Sequence, residues 1–326
     1  MIGDSRVDRG GTGLRVVFMG YNIWGHVTLD ALIRAGHDVR LVVTHPERRD
    51  RSGVFSNQPV EHLAKAQGIP LLVRKHARDA LLADSIRERN PEVIVASNWR
   101  TWLPPKIFNI PRYGTLNIHD ALLPKYGGFC PINWAILNGE SQTGVTVHYV
   151  NEQLDLGDIV LQQRVPISLT DTATDVLHRT LPLCGSLAVQ ALSLIATGDV
   201  QRIPQDPRQA TMFHKRSERD CRIDWRLPRT RVYNLIRAQS DPYPNAFTFY
   251  QGQRVRIKQA SLTQDCYAGT PGRLFCRLPS GVIALAGPDA TGQGQGILIE
   301  VVQVGDGPPL QATDFFRRMG GYLETE

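Results

Sequence analysis

The feature that most narrows the possible folds is an alternation that runs through the first half of the chain. Short β-branched runs at 14–19, 38–44, 70–73 and 93–96 are separated by helix-like stretches at 23–35, 59–67 and 77–89. Strand, helix, strand in this rhythm demands crossover connections, which are right-handed and lay helices over both faces of a mainly parallel sheet. Further runs at 114–118, 143–150 and 159–166, with a helix at 131–137 among them, extend the pattern. A long helix at 173–197 closes it, with Thr170, Asp171, Thr172 and Thr174 as candidate caps and Gly198 as its stop. The reading is an α/β fold with an open, mainly parallel, Rossmann-like sheet.

Beyond Pro204 the texture changes to short alternating stretches at 246–250, 255–257 and 297–304, separated by Gly and Pro clusters, with one helix at 230–238 leading in. That pattern suits a small β-barrel of the OB-like kind. A chain of 326 residues also exceeds the usual single-core size. The expected organisation is therefore a disordered leader at 1–13, a catalytic domain at 14–204 and a barrel at 205–326.

Composition removes several classes of function. With 42% hydrophobic and 21% charged residues the chain reads as globular, and no apolar run reads as long enough to cross a bilayer. The first 13 residues lack the apolar core of a secretory signal. Five cysteines form no Cys-x-x-Cys pair, so reduced thiols in the cytoplasm and no structural metal are expected. The net charge of +6 is concentrated at 213–262, which holds 11 Lys and Arg against 4 Asp and Glu, while the rest holds 26 against 27. Such a stretch either meets phosphates of a nucleotide or RNA, or simply faces water.

In an open parallel sheet, ligands bind at the carboxyl ends of the strands. The first loop there, Gly20 to Gly25, lacks the Gly-x-Gly-x-x-Gly spacing that brings backbone to a pyrophosphate, which argues against a nicotinamide enzyme. The second is richer. Asn117 and His119 alternate along one strand end, so they project to the same side, and a turn-rich loop from Asp120 to Gly128 follows. Asp155 precedes another strand and can reach the same edge. A carboxamide, an imidazole and a carboxylate together can polarise a carbonyl and handle a proton. Each has an ordinary reading as well, a satisfied polar group or a turn former, and Asp120 and Asp158 compete with Asp155 for any acid role. His148, within an alternating strand, reads as a packing residue.

Here the sequence resembles the formyltransferases that use 10-formyltetrahydrofolate. Asn117-Ile118-His119 is similar to that family's Asn-x-His, Ala121-Leu122-Leu123-Pro124 to its Ser-Leu-Leu-Pro, Thr143-Gly144-Val145-Thr146 to its Thr-Gly-Val-Thr, and Asp155-Leu156-Gly157 to its Asp-x-Gly. Ile223-Asp224-Trp225 and Asp241-Pro242-Tyr243-Pro244-Asn245-Ala246-Phe247 resemble the start of the carboxyl-terminal domain of the methionyl-tRNA enzymes. The resemblance implies that Asn117, His119 and Asp155 are catalytic. It also implies that the folate lies against Trp99, Arg100, Thr101, Trp102, Leu154 and Asp158, that the acceptor lies against Asn22, Trp24 and Tyr126, and that no metal takes part.

Where the methionyl-tRNA enzymes carry Arg-Gly in the loop after the Pro-x-Tyr, this chain reads Tyr126-Gly127-Gly128-Phe129. The expected acceptor is accordingly a small primary amine, an ornithine-type side chain in siderophore or peptide assembly or a nucleotide-linked amino sugar. Methionyl-tRNA is the alternative. A folate-binding module without chemistry is a second, and hydrolysis of the formyl-folate by water a third.

Overall fold

The computed structural model describes residues 13–46, 59–288 and 294–324; apart from Gly13, the expected leader lies outside them. In chain order the amino-terminal part runs β1 (Arg15–Gly20), α1 (Asn22–Arg34), β2 (Asp38–Thr44), α2 (Val60–Ala66), β3 (Leu71–Val73), α3 (Ala80–Glu88), β4 (Val93–Ser97), α4 (Pro105–Phe108) and β5 (Thr115–His119). It continues with β6 (Gly127–Gly128), α5 (Pro131–Leu137), β7 (Gln142–Tyr149), β8 (Ile159–Pro166) and α6 (Ala173–Thr197). These bounds fall within a few residues of those the apolar periodicity predicts.

Seven strands form one sheet in the order β3-β2-β1-β4-β5-β7-β8. The pairings from β3 to β5 are parallel, but β7 runs antiparallel to β5. The strand order reverses between β1 and β4, the point beside which doubly wound sheets bind ligands. Val16, Phe18, Val42, Val95, Leu116 and Val147 fill one face with the inner side of α1 and α6, and Val17, Met19, Val43, Ile94 and Ala96 fill the other with α3 and α4. Both faces of the central strands are thereby dry, which explains their near-continuous apolar runs.

Glycine spacing at the first loop has a packing cause. A Cβ on Gly25 would sit 2.9 Å from the carbonyl carbon of Gly20 and 2.8 Å from Val60, so the two glycines let α1 start directly against the end of β1. At 25 residues α6 is long and apolar enough to cross a membrane, which corrects the expectation that no segment is. Its apolar residues Cys184, Leu187, Ala188, Ala191, Leu192 and Ile195 are instead buried in the core of the sheet.

The contacts do not divide at Pro204 as a contiguous boundary would. One compact unit holds 1–124, 145–163 and 181–210; the other holds 125–144, 164–180 and 211–326. Within the second unit Asn133 of α5 donates at 2.6 Å to the carbonyl of Ala238, which groups the segment around α5 with later residues. That unit adds β9 (Met212–Phe213), α7 (Arg229–Ala238), β10 (Ala246–Tyr250), β11 (Gln253–Leu262), β12 (Leu274–Leu278), β13 (Gly281–Leu285), β14 (Gly296–Val304), β15 (Leu310–Gln311) and α8 (Ala312–Phe315). Its antiparallel sheet has the order β10-β11-β14-β13-β12, with β15 on β14. The segment from Tyr322 to Glu324 bridges both edges, pairing with Arg273 beside β12 and with Phe249 on β10. Trp225 lies at the centre of this unit's core, and its indole donates to Thr248 at 2.9 Å.

Leu116 is fully buried at the middle of the seven-stranded sheet. Leu116→Ala is expected to cost about 2–5 kcal/mol, through reduced burial plus the cavity left behind, measured as a fall in the urea midpoint of the first unit's transition.

Candidate active site

The register of β7 on β5 sets Asn117 opposite His148 and His119 opposite Thr146. The turn after β7 then carries Asp155 back to the same place. Asn117 Nδ2 lies 3.1 Å from His148 Nε2 and 3.4 Å from Asp155 Oδ1. Asp155 Oδ2 stands 3.9 Å from His119 Nδ1, and its Oδ1 stands 3.6 Å from His148 Nε2. All three sequence-predicted residues are therefore brought together, and His148, read as packing, stands among them.

Hydrogen-bond logic assigns the protons. His148 Nδ1 is 2.9 Å from the carbonyl oxygen of Tyr149, which can only accept, so Nδ1 carries a proton and, in that tautomer, Nε2 accepts from Asn117. Both amide protons of Asn117 are thus engaged, one by His148 and one, at greater length, by Asp155. The cluster is nearly dry, with His119 7%, Asp155 9% and His148 2% exposed. Low dielectric there strengthens each polar contact.

The loop that follows His119 is pinned from β7 and β8. Thr146 Oγ1, fully buried, donates to Ala121 O at 2.6 Å and accepts from Leu123 N at 3.3 Å, while Gln162 Nε2 donates to Leu123 O at 2.9 Å. At its head Asp120 accepts from the indole of Trp24 at 3.2 Å. Burial holds the Asp120 carboxyl above its ordinary range, opposed by the charge of His119 beside it. Trp24, an expected acceptor contact, is therefore tied to the residue following His119, and Asn22 opens α1 in the left-handed region at φ 54°.

The Asp155 turn is equally constrained. Asp155 is itself left-handed (φ 53°), which Asp adopts more readily than most residues. A Cβ on Gly157 would lie 1.8 Å from the Tyr149 carbonyl oxygen, so only glycine fits. Asp158, the rival acid, gives its backbone carbonyl to Tyr149 N at 2.9 Å and lies with Gly157 in the wall of a separate cavity of about 400 Å³, which Arg112 and Arg202 also line. Leu154 is exposed.

At the end of β4 the ring of Trp99 stacks on His45 with centroids 4.0 Å apart. Arg100 N donates to His45 Nε2 at 3.1 Å, and the Arg100 guanidinium lies 5.5 Å from the centroid of Tyr21. Trp99 Nε1 and Thr101 Oγ1 are buried and without a hydrogen-bond partner among the described residues. Trp102 is exposed. An aromatic stack with two such polar atoms suits a flat, hydrogen-bonding heterocycle. His45, which sequence reading misses, is hidden at the end of an apolar strand run. Among the described residues no group of three or more His, Cys, Asp or Glu is placed to hold a metal ion.

In the second unit, Tyr126 donates its hydroxyl to Glu140 at 2.7 Å and stacks on Phe213 at 5.0 Å. Burial, then that carboxylate, pushes its pKa up to about 12. Its backbone N donates to Thr211, and Gly127 and Gly128 pair with Met212 and Phe213. The expected acceptor contact at Tyr126 is accordingly a residue whose hydroxyl is already committed.

Comparisons with known proteins give the family. The formyl transferase family model matches residues 14–192, and the model for the formyl transferase carboxyl-terminal domain matches 215–320. A methionyl-tRNA formyltransferase from Pelotomaculum thermopropionicum is 36% identical over 93% of this chain and 95% of its own length. One from Anaeromyxobacter dehalogenans is 33% identical over 92% and 96%. Among solved structures, an N-formyltransferase from Helicobacter canadensis, in complex with folinic acid and dTDP-3-aminofucose, shares the fold with a TM-score of 0.68 at 20% identity, covering 88% of this chain and 99% of its own. WlaRD, a sugar 3N-formyl transferase crystallised with dTDP and 5-N-formyl-THF, does so with a TM-score of 0.65 at 19% identity, over 91% of this chain and all of its own. With both family models matched and full-length relatives above 30% identity, the chain belongs to the formyl transferase family and is a formyl transferase enzyme.

Proposed function

We propose that this enzyme moves a formyl group from a 10-formyltetrahydrofolate to a primary amine, with Asn117, His119 and Asp155 as catalytic residues. The observation that carries the reading is the buried cluster these three make with His148 at the end of β5. Folate chemistry is supported by the partnerless polar atoms and aromatic stack at Trp99 and Thr101, and by the folate derivatives named with the two solved relatives. Bound, the folate supplies the activated formyl group; the protein supplies orientation and charge.

As the amine attacks, negative charge gathers on the formyl oxygen. His119 donates from its ring, and Asn117 can donate by giving up its longer bond to Asp155. One well-placed donor of this kind is worth about 3 kcal/mol in the transition state. Asp155 holds His119 in register, accepts the proton that the attacking amine must lose, and returns it to the folate nitrogen as the bond from that nitrogen to the formyl carbon breaks and tetrahydrofolate leaves.

For the acceptor, the full-length curated relatives favour the amino group of methionyl-tRNA. Part of the basic stretch is engaged internally: Arg226, Arg254 and Lys258 pair with Asp224, Glu218 and Asp241, and Arg229 and Arg237 are buried. Lys215, Arg219 and Arg231 stay exposed and carry no carboxylate partner among the described residues, so they are available to phosphates. One observation favours the small amine expected from sequence. Gly127, not an arginine, follows Tyr126, and the Gly128 after it is left-handed (φ 91°), with a Cβ there falling 2.4 Å from Phe213 O. The loop therefore lacks the guanidinium that the resemblance places at 127, and exposed Lys125 is its cation.

His119→Ala and Asp155→Ala are each expected to lower kcat about 100- to 1,000-fold, the effect of removing one oxyanion donor or its partner, with unchanged melting. Near-normal turnover in either removes that residue from the mechanism. With methionyl-tRNA as acceptor, replacing Lys215, Arg219 or Arg231 by Ala should reduce the slope of log affinity against log salt by about 0.9 for each phosphate no longer neutralised. Faster formylation of ornithine or an amino-sugar nucleotide than of methionyl-tRNA would reverse the order of the two acceptors.

A further inference from the structure

The turn that carries Asp155 is held by a side chain fifty residues away. Gln205 Nε2 donates to the carbonyl of Asp155 at 2.9 Å and to the carbonyl of Gly157 at 2.7 Å. Both partners are carbonyls, so the orientation of the amide is fixed: the nitrogen faces the turn. Its Oε1 is buried and has no partner among the described residues. A buried acceptor left unsatisfied is costly, and an apolar side chain of similar length would pack there without that cost. What this glutamine alone supplies at the position is the pair of donated bonds.

The turn needs such an anchor. Asp155 occupies a left-handed conformation, Leu154 is exposed, and Asp155's carboxylate must meet two groups at once, Asn117 and His119. The backbone bond from Leu156 N to Gln153 O is long, at 3.5 Å, and cannot by itself fix the turn. Gln205 spans the turn on either side of Leu156 and thereby sets where the carboxylate stands.

We propose that Gln205 is a positioning residue for the reaction, acting through Asp155; this rests on the catalytic reading of Asp155 given above. A carboxylate displaced by about 1 Å can cost on the order of 100-fold in rate, so the effect should appear in kcat.

The test compares Gln205→Ala, Gln205→Met, Asp155→Asn and the double variant Gln205→Met with Asp155→Asn in the full chain, with kcat and KM measured for formyl-folate and amine across pH. Gln205→Met keeps the volume and removes the donors. The expected result is that Gln205→Met loses about as much kcat as Gln205→Ala, with KM for the folate little changed and an altered pH profile, and that the double variant is no slower than Asp155→Asn alone. Recovery of kcat in Gln205→Met, or a further fall in the double variant, would show a role in packing only and overturn the proposal, as would wild-type kcat in both glutamine variants. Near-normal activity in Asp155→Asn would instead sink the catalytic reading beneath it, a separate and recognisable failure.

Discussion

The candidate site depends on one reversal of strand direction. Five strands of the sheet, β3, β2, β1, β4 and β5, lie parallel in the manner of crossover folds, and β5 is the last of them. In this antiparallel register the end of β7 at Tyr149 lies beside Leu116, near the start of β5, so the chain must turn back to bring Asp155 to Asn117. Because β7 runs the other way, His148 faces Asn117 across a narrow pair of strands, and the chain leaving Tyr149 turns back to deliver Asp155. Everything polar in the cluster follows from that register. A slip of one residue would send Asn117 and His119 to the opposite face.

Around this register the protein devotes its side chains to immobility. Thr146 and Gln162 hold the loop after His119, Trp24 holds Asp120, and Gln205 holds the turn of Asp155. The contributors come from α1, β7, β8 and the segment after α6, so the two loops are gripped from several elements at once. Groups that must be aligned to a fraction of an ångström are most precise when their supports belong to rigid elements. The second unit shows the same device in the Tyr126 loop, tied to Phe213 by a short strand pair and by ring stacking.

Much of this is legible in the order of residues. Apolar periodicity marks the strands and helices of the first sheet because burial on one or two faces leaves its period in the chain. The edge pair β12 and β13 is not marked, since Phe275 and other outward residues of β12 blur its alternation. Strand direction is invisible to alternation, which reads the same both ways, so the antiparallel entry of β7 and the part played by His148 escape a sequence reading. Asn117, His119 and Asp155 stand out by residue type, position at a strand end and resemblance. His45 and Gln205 do not, because each acts through a distant backbone or ring that only the folded chain brings near.

The engagement of both Asn117 protons has a consequence for discrimination. A neutral carbonyl is a weak acceptor and competes poorly with a carboxylate for an amide proton, whereas a nearly full oxyanion competes well. On the catalytic role proposed for Asn117, the free enzyme presents a closed polar circuit that a resting formyl group leaves intact and a reacting one opens. On that proposal binding energy is withheld from the ground state and released only as charge develops, the condition under which an interaction raises turnover rather than merely tightening the hold on what is bound.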